Sequence, residues 1–156
     1  MGHYEDPSTT IAEVLLDQRV ACGVGNVFRS EVLWACAIHP LAPVGSLSDD
    51  DRVQVVNAAA RMLRANLDSS RRVTAPELRG GLAVYGRCGQ RCARCGDTVR
   101  VDRIGEHQRL LYWCPGCQVH LDPDVRNPPE REMDPHPAAA KFLADLPWRR
   151  KSRLAG

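Results

Sequence analysis

The sequence predicts an α+β chain, mainly α, with helices through its first half and a short β-hairpin after them. Three observations predict it. Apolar residues recur at helical spacing between Pro7 and Leu67, the period shortens after Val84, and two Cys-x2-Cys pairs bracket the shortened stretch. The 156 residues suffice for one ordinary domain, or for one small core and a stapled module.

The elements follow in order. Thr10 and Glu13 have the spacing of a capping box, in which each side chain satisfies an orphan N–H, and Ile11, Val14 and Leu15 then share a face, so a short helix is expected to end near Asp17. Gly23 and Gly25 interrupt the helical pattern; Val27, Glu31 and Trp34 resume it as far as Ala37, and His39-Pro40 is expected to close it. This is helix, tight turns, helix. Ser48 followed by Asp49, Asp50 and Asp51 combines a cap with carboxylates at the positive end of a helix dipole. Val53, Val56, Ala60, Leu63 and Leu67 then form an apolar stripe, expected to be the buried face. Ser69 to Gly81 is polar, with at most a helical turn after Pro76. Thr98 to Val101 and Leu110 to Trp113 read as strands joined by a turn at Gly105-Glu106. Residues 1–83 are thus expected to be a helical domain, 84–118 a β-hairpin module with a core of its own, and 119–156 a Pro-rich, basic-ended, largely flexible tail.

Composition limits the function. No apolar run approaches the roughly 18 residues a membrane-spanning helix needs, and Met1-Gly2-His3-Tyr4 lacks the features of a signal peptide, so a cytoplasmic protein with no membrane partner is expected. Lys and Arg number 21 against 19 Asp and Glu, too even a balance to point to a nucleic-acid partner by itself.

Cysteine usage points further. Seven cysteines without an export signal argue against a disulfide framework. Cys92, Cys95, Cys114 and Cys117 form two pairs separated by 18 residues, the spacing of a four-thiolate Zn²⁺ site. With all four positions filled by protein, one such ion is structural. Cys88 reads as a turn residue, and Cys22 and Cys36 as small apolar residues. Between Val84 and Gln118, six arginines (87, 91, 94, 100, 103 and 109) face three acids, most of them expected on a solvated charged face. Ahead of the helix at Val27, Gly23, Gly25 and Asn26 have the makings of an anion cradle: open backbone, helix N–H groups and a carboxamide. A glycine turn with an Asn cap is the plainer reading of the same residues.

Leu15 to Val20, Gly23-Val24-Gly25-Asn26-Val27-Phe28-Arg29-Ser30-Glu31 and Ile38-His39-Pro40 closely resemble the helix-two-turns-helix region of the formamidopyrimidine-DNA glycosylase and endonuclease VIII family. Val84-Tyr85-Gly86-Arg87 through Cys117-Gln118 resembles that family's C-terminal zinc finger. The resemblance covers roughly residues 8–118. It implies base-excision repair of oxidised bases in double-stranded DNA, with Asn26 and Arg109 clamping phosphates beside a flipped-out nucleotide. Family members also carry an N-terminal β-rich domain whose first residues, proline then glutamate, do the chemistry. This chain begins Met1-Gly2-His3, so no catalytic residue is assigned and the chain alone is expected to be inactive without that partner domain. Glu31 and His39 are expected to serve packing and helix ending. The alternative reading is a stand-alone zinc-dependent DNA-binding or interaction module; a remote third is a lyase using Lys141, Lys151 or the N-terminal amine.

Overall fold

The computed structural model of the protein describes residues 6–119. The expected tail from residue 120 onward, with Lys141 and Lys151, lies outside them, as do residues 1–5. Three helices, α1 (Ile11–Leu16), α2 (Asn26–Ala35) and α3 (Asp49–Ala65), precede one antiparallel hairpin of β1 (Arg100–Ile104) and β2 (Arg109–Trp113). No helix among the described residues is long and apolar enough to cross a membrane.

Both capping boxes form. The Thr10 hydroxyl accepts from the Glu13 N–H while the Glu13 carboxylate accepts from the Thr10 N–H, and Ser48 and Asp51 repeat the exchange at α3. Between α1 and α2 the chain makes two successive turns, closed by Ala21 N–H to Asp17 C=O and Val24 N–H to Ala21 C=O. Gln18 braces them: its amide nitrogen donates to Val24 C=O and its oxygen accepts from Gly23 N–H. Gly25, not Asn26, is the N-cap of α2, and no side chain caps that end.

Helix α2 stops at Ala35, two residues short of the expected end. Ala37 adopts a left-handed φ of 53°, its N–H donates to Trp34 C=O, and Ile38 N–H reaches Leu33 C=O. This paired closure satisfies the orphan carbonyls before the proline is reached. Strand β1 begins at Arg100, two residues late, because Thr98 bridges Arg91 and Val99 exchanges bonds with Gln90 and Gly89 in the cysteine knuckle. After Pro76 there is one turn, closed by Leu78 N–H to Ala75 C=O.

Two expectations fail. The buried face of α3 is Val55, Ala58, Ala59 and Met62, whereas Val53 and Val56 are 56% and 52% exposed and Leu67 is exposed. This helix carries two apolar stripes, and the alanine-lined one wins because it lets α3 approach α2 closely. The hairpin also has no core of its own. Cys92, Ala93, Val99, Leu111, Cys114 and Cys117 belong to the same hydrophobic cluster as Ile11, Val32, Trp34 and Met62.

The free edge of β2 lies against α2. Leu110 C=O accepts from the Arg29 guanidinium at 3.2 Å, and Tyr112 N–H donates to the Ser30 hydroxyl at 3.2 Å. Two side chains of α2 thus fix the register of the hairpin against the helix.

Candidate metal centre and cleft

The sulfurs of Cys92, Cys95, Cys114 and Cys117 lie within 4.8 Å of one another. Cys92 and Cys117 are 3.8 Å apart and Cys95 and Cys114 3.4 Å. A tetrahedral ion with metal–sulfur bonds of about 2.3 Å requires sulfur–sulfur edges near 3.8 Å, so the four residues fit a metal-binding site. The thiols conflict when left to themselves. Hydrogen bonds from Cys114, Cys117 and Cys95 hold Cys92 far below the ordinary thiol range, and the same contacts push Cys117 well above it. A divalent cation lets all four ionise together. Gly116 is sterically required, since a Cβ there would sit 2.8 Å from the Cys95 sulfur and 2.7 Å from the Asp97 Cβ. Cys88 and Cys22 are exposed, Cys36 is buried, and none of the three belongs to the cluster. Of the two cysteines read as small apolar residues, Cys36 is thus buried and Cys22 exposed.

Helix α2 reaches the sulfurs directly. Trp34 Nε1–H donates to the Cys92 sulfur at 3.2 Å. Arg94, expected on a charged surface, is buried: it stacks on the Trp34 ring with its Cζ 4.3 Å from the centroid and donates to the Cys117 sulfur at 3.1 Å and to the carbonyls of Trp34 and Ala35. A cation there neutralises part of the thiolate charge and caps the negative end of α2. Gln118, fully buried, donates to Ile38 C=O and accepts from Cys114 N–H.

The glycine turn and the hairpin tip face each other across a cavity of about 440 Å³, lined among others by Glu13, Gln18, Gly25, Arg29, His107 and Arg109. Gly23 has φ +88°, so it needs glycine for its conformation; its neighbour in space is Leu63. Gly25 differs: its φ of −103° suits any residue, and a Cβ there would meet nothing within 4 Å. Asn26 is half-buried and Arg109 exposed. Arg29, which reading the sequence missed, lies between them. It is fully buried and donates to Ala12 C=O at 3.3 Å, Asn26 Oδ1 at 3.2 Å and Leu110 C=O at 3.2 Å. Burial and the neighbouring charge of Arg109 bring it down to about 10. No local sequence signal marked it, since its acceptors lie as far off as Leu110.

Glu31 is buried one residue beyond the polar Ser30. Its Oε1 accepts from the Thr74 hydroxyl at 2.7 Å and Ala83 N–H at 2.6 Å, and its Oε2 from Val84 N–H at 3.0 Å. It serves packing, as expected, by pinning the 74–84 segment to α2. His39 follows the helix end and sets its ring edge-on to Trp113, centroids 4.7 Å apart.

Residues 2–75 match the formamidopyrimidine-DNA glycosylase H2TH domain. The chain is 46% identical over 116 residues to the DNA-(apurinic or apyrimidinic site) lyase Nei2 of Mycolicibacterium smegmatis, covering 73% of this chain and 44% of that protein. It is 38% identical over 120 residues to the formamidopyrimidine-DNA glycosylase of Corynebacterium aurimucosum, covering 70% and 42%. A solved structure of Lactococcus lactis formamidopyrimidine-DNA glycosylase, non-covalently bound to DNA containing an AP site, superposes with a TM-score of 0.62 at 28% identity, covering 72% of this chain and 41% of that one. A structure of MutM with carbocyclic 8-oxo-G containing DNA gives 0.60 at 27%, covering 72% and 43%. The chain spans less than half the length of these relatives.

Proposed function

The chain belongs to the formamidopyrimidine-DNA glycosylase and endonuclease VIII family, matching the C-terminal part of its members, and from that premise we propose that it is the duplex-gripping portion of a base-excision repair glycosylase. The observation that carries this reading is the cleft between the glycine turn and the hairpin tip, where the open backbone of Gly25 and the side chain of Arg109 line one cavity. In this reading α1 and α2 with their intervening turns are a helix-two-turns-helix. The uncapped N-terminus of α2 and the Asn26 carboxamide take one phosphate, and Arg109 takes a neighbouring one. Contacts of this kind hold a kinked backbone without reading its sequence, and so offset the few kcal/mol needed to unstack a base. The resident metal is one Zn²⁺ on Cys92, Cys95, Cys114 and Cys117, where it holds the base of the hairpin shut and leaves no coordination position for substrate.

No lysine lies among the described residues, so none of them supplies an amine for covalent chemistry on the sugar. In this reading the described residues bind the duplex and do not cleave it. Duplexes carrying an abasic-site analogue, titrated by fluorescence anisotropy, test the binding half. Wild type is expected to prefer them over undamaged duplex, and a stand-alone DNA-binding module would show no such preference. Borohydride trapping on abasic DNA tests the other half: a covalent adduct formed by this chain would refute it.

Arg109→Ala is expected to weaken binding roughly tenfold and to make log K against log[salt] shallower by about 0.9, one phosphate's worth of released counterion. An unchanged slope would remove Arg109 from the contact set. Asn26→Ala is expected to weaken binding with little change in slope, since it carries no charge.

Gly25→Ala separates binding from folding. The added methyl meets no protein atom, so the unfolding free energy should stay within about 1 kcal/mol of wild type, while affinity falls roughly fivefold as the phosphate is pushed off the helix N–H groups. Equal affinity would mean that no ligand approaches that backbone.

A further inference from the structure

We propose that Arg29 is a positioning residue for this grip: it turns the Asn26 carboxamide so that its N–H donors face outward, and the same nitrogen ties that carboxamide to the strand bearing Arg109. The proposal rests on the duplex-binding reading above. Arg29 Nη2 lies 3.2 Å from Asn26 Oδ1 and 3.2 Å from Leu110 C=O, the residue next to Arg109, while Nη1 reaches Ala12 C=O. Three separate segments, α1, the start of α2 and β2, thus converge on one guanidinium.

The chemistry of that group selects the orientation. A guanidinium has five donors and no acceptor, so the atom Asn26 presents to it is necessarily oxygen, and the two N–H donors of the amide are left on the other side. A neutral partner able both to give and to accept would tolerate either orientation; Arg29 tolerates one. An amide preset this way meets an anion without first losing rotational freedom.

The arrangement works against stability. Arg29 is fully buried, and the charge of Arg109 is close enough to oppose its own. Two cations that repel each other at one cleft are relieved when an anion enters it. A buried apolar side chain would pack α1 against α2 without that repulsion, but it would leave Asn26 unoriented.

Anisotropy with an abasic-analogue duplex and urea unfolding, both on the zinc-loaded chain, test the proposal. Arg29→Met is expected to weaken binding about tenfold in the wild-type background and less than about threefold in the Asn26→Ala background, because the two act through one contact. A full tenfold loss in both backgrounds would show that Arg29 acts independently of Asn26 and would overturn the proposal. Should Arg29→Met not fold, Asn26→Asp decides: its carboxylate keeps an oxygen towards Arg29 but has no donor, so the unfolding midpoint is expected at or above wild type while affinity drops more than about tenfold. An Asn26→Asp protein less stable than Asn26→Ala overturns the proposal too. A wild-type chain that fails to bind the duplex sinks the binding reading itself, whereas wild-type binding left untouched by these substitutions sinks only the role of Arg29.

Discussion

Chelating the proposed Zn²⁺, or replacing Cys114 by Ser, is expected to unfold the helices together with the hairpin, in one transition whose midpoint falls by more than about 10 °C. The reason is where the thiolates point their neighbours. Trp34, wholly buried in α2, donates its indole N–H to Cys92, and Arg94 spans the Trp34 ring, the last carbonyls of α2 and the Cys117 sulfur. Without ionised sulfurs the buried Arg94 guanidinium loses the anionic charge of the Cys117 sulfur to which it donates, and removing a partner from such a buried charge costs about 3–5 kcal/mol. Circular dichroism at the helix band and Trp fluorescence should therefore fall together. If the hairpin signal disappeared while the helical midpoint stayed put, the finger would be an independent unit after all.

That outcome also separates what the sequence made legible from what it did not. Thr10 with Glu13, the Ser48 cap and the two Cys-x2-Cys pairs are local patterns, with partners within a few residues of each other, and they form as read; the return bond from Asp51 to Ser48 is an addition the structure supplies. The pairing of two knuckles 18 residues apart was legible because chemistry leaves thiolates at that spacing few other uses. The buried cations were not. Arg29 finds its acceptor 81 positions away and Arg94 60 positions away, and nothing in the neighbourhood of either distinguishes it from the exposed Arg91 or Arg103. Helix α3 shows the limit of periodicity, since Val53-Val56 and Val55-Met62 fit a helical stripe equally well and only close contact with α2 chooses between them. The cleft was half legible: of the residues singled out, Gly25 and Arg109 line it and Asn26 meets it through Arg29, but Arg29 itself was hidden by being charged and buried.

Glu31→Gln, the smallest change possible at that position, is expected to cost about 3 kcal/mol. Both carboxylate oxygens accept: Oε1 from the Thr74 hydroxyl and Ala83 N–H, Oε2 from Val84 N–H. An amide has one oxygen. Whichever way it is turned, its NH2 group confronts at least one backbone N–H in a fully buried site. Protonation does not rescue the comparison, because a carboxylic acid still accepts at both oxygens. Burial raises the Glu31 carboxyl above its ordinary value of 4.5, against the pull of the three donors and of Arg87. The folded chain thus holds that proton where the unfolded chain has released it, so the stability this group contributes is complete below 4.5 and declines as pH rises through the folded value. The difference between wild type and Glu31→Gln, measured by urea unfolding, should be widest near that lower bound and narrow as pH increases. A variant matching wild type at every pH would mean that the 74–84 segment is held to α2 by packing alone, with the carboxylate a passenger.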